Sequence, residues 1–116
     1  MATPVGPYTP AVRAGDLLFV SGQIGIDESG TLVEGGFEAQ VRKAIANLVG
    51  VLGDNGLTLA NVVKAGVFLV DVDTFAPMND IYIELMGAHR PARSTVAVAA
   101  LPKGALFEIE AIAHVG

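Results

Sequence analysis

Val62-Val63-Lys64-Ala65-Gly66-Val67-Phe68-Leu69-Val70 is the stretch that decides the fold. One charge interrupts nine residues rich in β-branched and aromatic side chains, which reads as a strong buried strand. Val67 and Leu69 alternate with Phe68 and Val70, so the strand is apolar on both sides. A sheet built around it needs cover on two faces.

The flanking segments supply cover for one face. Downstream, Asp73 or Thr74 is placed to cap a helix that tolerates Pro77 in its first turn. Phe75, Met78, Tyr82, Leu85 and Met86 mark the inner face of that helix, and Gly87 ends it. Upstream, Phe37 to Leu52 carries the clearest helical period, with Phe37, Val41, Ile45, Leu48 and Leu52 on one face. Glu38, Gln40, Arg42 and Lys43 fall elsewhere, and Asp54-Asn55-Gly56 suits a left-handed stop.

Further out, a Pro/Gly-rich lead-in precedes a strand from Asp16 to Ile24 that ends in a Ser21-Gly22 kink. Asp27-Glu28-Ser29-Gly30 is a turn, and Thr31-Leu32-Val33 reads as a short returning strand. After the second helix come two apolar runs, Ser94 to Ala100 and Leu106 to Ala113. Leu101-Pro102-Lys103-Gly104 reads as a turn between them, so the two are expected side by side. The order is strand, strand, helix, strand, helix, strand, strand, an α+β pattern without repeats or linkers. Two helices cover one sheet face; another copy of the chain is the simplest cover for the second.

With 116 residues the chain is expected to be one domain, spanning 1–116. Hydrophobic residues make up 52% and charged ones 16%, an apolar balance that fits a subunit interface. No uninterrupted apolar run is long enough to cross a bilayer. Met1 to Pro7 has no basic start and no apolar signal core, so a cytoplasmic protein is expected. The absence of cysteine removes disulfides, thiolate nucleophiles and cysteine-based metal sites. Seven basic residues against twelve acidic ones give a net charge of −5, and the bases form no stripe. Nucleic-acid binding through phosphate contacts is disfavoured.

Arg93 and Glu108 are the leading candidates for chemistry, because each charge sits in an otherwise apolar run. They admit two readings: an ion pair tying two strands, or a site in which Arg93 holds a substrate carboxylate and Glu108 a water or proton. Glu110 shares a face with Glu108 by period two, so pattern alone does not separate them. Ser21-Gly22-Gln23 is either a bend that lets backbone approach a ligand or an ordinary bulge. A serine nucleophile is disfavoured, since the Gly-x-Ser-x-Gly elbow is absent and neither His89 nor His114 has an obvious orienting partner. His89 follows a helix end and is expected to meet solvent or the helix terminus, and His114 reads as a surface or interface residue. Asp71 and Asp73 read as a strand end and a helix cap rather than a cation motif. Gly35-Gly36 is no phosphate loop.

Several short motifs stand in an order found in one family. They are Gly6-Pro7-Tyr8, Ser21-Gly22-Gln23-Ile24, Val63-Lys64, Phe75 with Asn79 and Tyr82, Pro91-Ala92-Arg93-Ser94, Leu101-Pro102 and Ile109-Glu110-Ala111-Ile112-Ala113. Almost end to end, the chain resembles the RidA/YjgF family of small imine and enamine deaminases. The resemblance implies a six-stranded mixed sheet with two helices on one face, chorismate mutase-like, and a homotrimer with a central barrel and clefts between subunits. It implies that Arg93 binds a substrate carboxylate and that Glu108, rather than Glu110, positions the hydrolytic water. Tyr8, Ser21, Gly22 and Asn79 match residues lining the cleft in relatives. Thr95 stands on the substrate side where many members carry a cysteine, Arg90 where an aromatic is common, and the Tyr82 to Arg93 segment is short.

The activity so implied is hydrolysis of 2-imino or enamino acids, such as 2-aminoacrylate, to 2-oxo acids and ammonia, with no cofactor and no metal. Two other functions are carried beside it: a ligand-binding or regulatory module of the same fold, and an endoribonuclease or translation inhibitor.

Overall fold

The computed structural model describes residues 6–116, so most of the N-terminal segment from Met1 to Pro7 read above lies outside the described residues. Five strands and two helices make up the fold: β1 Ala11–Ala14, β2 Leu17–Ile24, α1 Gly36–Asp54, β3 Val62–Leu69, α2 Phe75–Met86, β4 Ala92–Ala97 and β5 Phe107–His114. The strands form one mixed sheet in the order β1-β2-β5-β3-β4, parallel only between β3 and β4. The α+β class and the two helices agree with the sequence reading.

Three expectations are corrected. The described residues form five strands where six were expected. Thr31-Leu32-Val33 contributes a single bridge, Ile26 to Leu32, before the chain turns through Gly35 and Gly36 at positive φ. The lead-in, in turn, supplies β1, an edge strand of four residues. Finally, β4 and β5 are not neighbours; β3 runs between them. A strand, a crossover helix and a second strand favour parallel pairing, and that is what β3, α2 and β4 adopt. β5 then fills the antiparallel slot between β3 and β2.

Cross-strand partners sort the sheet into two faces. Leu18 opposite Ala113, Val20 opposite Ala111, Val67 opposite Ile109 and Leu69 opposite Phe107 all point into one core. α1 closes that core with Val41, Ala44, Ile45, Leu48, Val51 and Leu52, and α2 with Met78, Ile81, Tyr82 and Met86. Phe75, expected on the inner face of α2, is instead 43% exposed; Ile81 takes an inner place. Thr74 makes no side-chain cap, while Asp71 accepts from the Asp73 amide at 2.9 Å and caps the short turn before α2.

The opposite face carries Val12, Phe19, Phe68 and Val96 among Lys64, Glu108 and Glu110, and no helix among the described residues covers it. No helix among the described residues is long and apolar enough to cross a membrane.

Two polar residues of α1 are buried, and both hold segments that carry the site. Asn47, 6% exposed, donates from Nδ2 to the carbonyls of Ile24 (3.0 Å) and Ile26 (2.9 Å) at the end of β2. Gln40, 7% exposed, accepts from the Leu106 amide at 2.8 Å just before β5. A buried amide persists where its hydrogen bonds are made, and these bonds fix both strand ends against the helix. Gln40 is thus a buried tie rather than part of the polar face assigned by helical period.

Candidate active site

The chemistry-bearing residues fall into two clefts on opposite faces of the sheet. The first surrounds Glu108 on the uncovered face. In β2, Val20 pairs with Ala111 and Gln23 with Ile109, so Ser21 and Gly22 together oppose Glu110 alone. This two-against-one arrangement is a β-bulge, and it bends the strand beside the acidic pair.

Gly22 then lets backbone and carboxylate meet. A Cβ on Gly22 would stand 2.7 Å from the Glu108 carboxyl carbon and closer still to Oε2. The bulge is formed, and the missing side chain makes room for the Glu108 carboxylate. Ser21 donates its Oγ hydrogen to the Thr9 carbonyl at 2.7 Å and its amide to Pro10 at 2.9 Å, tying the lead-in to the bulge. That hydroxyl is engaged with backbone, and its partner is a carbonyl rather than a histidine or carboxylate.

Glu108 is half-buried. Burial first, and the like charge of Glu110 second, raise its carboxyl above the ordinary value of 4.5. A cleft of about 350 Å³ opens over it, lined also by Tyr8, Ser21, Gly22, Pro102 and Glu110. A neighbouring hollow of about 560 Å³ shares Tyr8, Ser21 and Glu110 and reaches Lys64 and Phe19.

The second cleft lies at the edge of the helix-covered face. Arg93 is opposite Ala65, and Thr95 opposite Val67, so both side chains project toward the helices and away from Glu108. The Arg93 guanidinium lies 4.7 Å from the centroid of the Tyr82 ring and 5.9 Å from that of Phe75. Cation–π attraction holds a cation there without neutralising it. Among the described residues Arg93 has no hydrogen bond and no ion pair, so the strand-tying ion pair with Glu108 does not form. Asn79, Tyr82, Ile83, Arg90 and Pro91 line the cleft with it, about 250 Å³ in volume.

Two buried hydroxyls near Arg93, Tyr82 Oη and Thr95 Oγ1, have no hydrogen-bond partner among the described residues. Burial raises the Tyr82 pKa, while the charges of Arg93 and Arg90 pull it down. Thr95, expected on the substrate side, is not among the residues that line the cleft.

Tyr8, Ser21 and Gly22 therefore gather with Glu108, and Asn79 with Arg93; the chain brings neither group to the other. Tyr82 as the platform for Arg93 was read from sequence only as a core residue, and its spacing of four from Met78 carries no more than that. His89 Nε2 lies 2.7 Å from the Val62 carbonyl, a structural tie rather than a helix-end contact, and His114 is exposed. Among the described residues no cluster of three or more His, Asp or Glu side chains is placed to hold a metal ion.

A sequence model described as Endoribonuclease L-PSP matches residues 1–115. The chain belongs to the endoribonuclease L-PSP family. Within that family it is 45% identical to a RutC family protein of Pyrococcus abyssi, over 96% of this chain and 88% of that one. It is 42% identical to the human 2-iminobutanoate/2-iminopropanoate deaminase, over 97% of this chain and 82% of that protein. Among solved structures, RidA from the Antarctic bacterium Psychrobacter superposes with a TM-score of 0.94 at 39% identity, covering 98% of this chain and 93% of the other. The L-PSP family is thus shown by sequence and by fold, as the RidA resemblance implied.

Proposed function

We propose that the protein hydrolyses short-lived 2-imino acids to 2-oxo acids and ammonia, in a site assembled where copies of the chain associate as a homotrimer. The carrying observation is Arg93: a guanidinium with no internal anion, held on two aromatic rings at the floor of a cleft. Such a group suits a two-pronged contact with a carboxylate. Glu108 complements it as a carboxyl raised toward the range useful for moving protons. The uncovered, partly apolar sheet face supplies a surface for a second copy. Relatives named as deaminases at 42% to 43% identity point the same way.

The reaction balances without a redox partner. Arg93 fixes the α-carboxylate of the imino acid. Glu108 accepts a proton from water as its oxygen bonds to the imine carbon, and the C=N electron pair moves to nitrogen. That proton passes to nitrogen and gives a carbinolamine. Its hydroxyl then yields a second proton, relayed by Glu108 to the amino group, as the C=O bond forms and the C–N bond breaks, and a 2-oxo acid and ammonia leave. The net charge of −5 favours a small anion guided to one cation over a polyanionic RNA.

Mixed assemblies test this directly. Arg93→Ala and Glu108→Gln are each expected to release ammonia from imines generated in situ at no more than about a hundredth of the wild-type rate. Refolded together, they should recover activity, because a site then forms wherever an intact Arg93 meets an intact Glu108 from another copy. Random assembly gives half times half, about a quarter of sites. A monomer mass by light scattering, or no recovery on mixing, would overturn the proposal.

A further inference from the structure

Two guanidinium groups face the helix-side cleft, and imine hydrolysis as proposed above uses only Arg93. Arg90 lines the same cleft, beside Asn79, Tyr82 and Ile83. It is exposed but anchored: its Nη1 donates to the Gly87 carbonyl and, at 2.9 Å, to the His89 carbonyl. Those bonds finish the C-terminal end of α2, a role that suits a cation and needs one nitrogen only. Nε and Nη2 make no hydrogen bond among the described residues, and no carboxylate among them pairs with either arginine. Both charges are felt at the Tyr82 hydroxyl, which places them around one buried phenol. A cleft lined by two cations without an internal anion concentrates negative charge at its mouth.

We infer that Arg90 is a specificity-determining residue that selects imino acids bearing a second carboxylate, those derived from acidic amino acids. The inference rests on the reading of Arg93 as the α-carboxylate site. With that group on Arg93, a side-chain carboxylate turned toward the mouth meets the free Nε/Nη2 edge of Arg90. A cleft of about 250 Å³ has room for a small diacid. An apolar side chain placed there would instead lie against a solvated cation.

The test compares wild type, Arg90→Leu and Arg90→Lys on imines generated in situ from aspartate, glutamate, alanine and leucine. Wild type is expected to favour the acidic pair in kcat/KM. Arg90→Leu should reduce the acidic-to-apolar ratio by about tenfold, the low end for a charge-assisted hydrogen bond because Arg90 is exposed. Arg90→Lys should retain part of the preference. Calorimetry with succinate and butyrate reads the same selectivity without turnover, and wild type should bind succinate about tenfold more tightly.

If no imine is hydrolysed but succinate keeps an Arg90-dependent advantage, the hydrolase reading fails and diacid selection stands. If alanine imine is turned over with no preference for acidic imines, hydrolysis stands and the role of Arg90 is overturned. Equal binding of succinate and butyrate by wild type overturns it as well. Should Arg90→Leu fail to fold, Arg90→Lys and the wild-type comparison still decide.

Discussion

The two clefts are built by opposite means. Around Glu108 the geometry comes from the backbone: a two-residue bulge, a glycine where any Cβ would strike the carboxylate, and buried amides tying the strand ends to α1. Around Arg93 it comes from side chains, with rings stacked beneath a guanidinium. The electrostatics are opposite too, an acid raised by burial and a like charge against a cation left uncompensated. Had the chain brought the two together, Arg93 would hold the Glu108 carboxyl low and Glu108 would occupy Arg93. The sheet instead keeps the acid raised and the cation uncompensated on its two opposite faces.

The sharpest way to break this contrast is to remove the acid. Glu108→Gln is expected to lower kcat by roughly 10²–10⁴, as for loss of a general acid–base group, while binding is largely kept. Glu110→Gln should cost far less; the reverse ranking would move the site one pleat along β5. Arg93→Ala should lower kcat/KM by on the order of 100-fold, and Arg93→Lys by most of that, since an ammonium lacks the two-pronged geometry. Near-wild-type turnover in Arg93→Ala would remove the anion site. Gly22→Ala should retain the fold, because the far end of a side chain can move aside, yet lower kcat by about tenfold by displacing the carboxylate.

Smaller effects sharpen the electrostatic half. A Glu108 that takes the water proton, as proposed, must start deprotonated, so activity should rise with pH through a value above the ordinary 4.5. In Glu110→Gln that acid limb should move to lower pH, because a like charge that raises Glu108 is gone; a limb that stays put would leave burial as the only cause. Stability has a matching sign. A raised carboxyl keeps its proton in the folded state where the unfolded chain has lost it, so stability falls as pH climbs from 4.5 through the folded value. Denaturant melts at acidic and neutral pH should therefore show Glu108→Gln gaining on wild type only at the higher pH.

Much of this was legible in the residues. Periodicity located both helices and β3, because burial imposes it, and the charges in apolar runs singled out Arg93 and Glu108. Local pattern pairs their strands wrongly, because Leu101-Pro102-Lys103-Gly104 looks like a hairpin turn. The crossover through α2 had already committed β4 to a parallel place beside β3. Strand β1 was missed because its residues are mostly exposed and lack a clear alternation. Gln40 and Asn47 carry no sequence mark of their burial, since polar residues on a helix normally face water. That Arg93 and Glu108 face opposite ways depends on register and on which strand lies between, neither of which local pattern records.

Resting a cation on rings instead of a carboxylate also has a kinetic consequence. An arriving anion at Arg93 displaces water but no resident protein partner, so capture involves no slow exchange of one ion pair for another. Association should then be governed by diffusion and by the field at the cleft mouth, and added salt should slow it by screening alone. For a short-lived imino acid, the substrate proposed above, speed of arrival would count for more than tightness of hold.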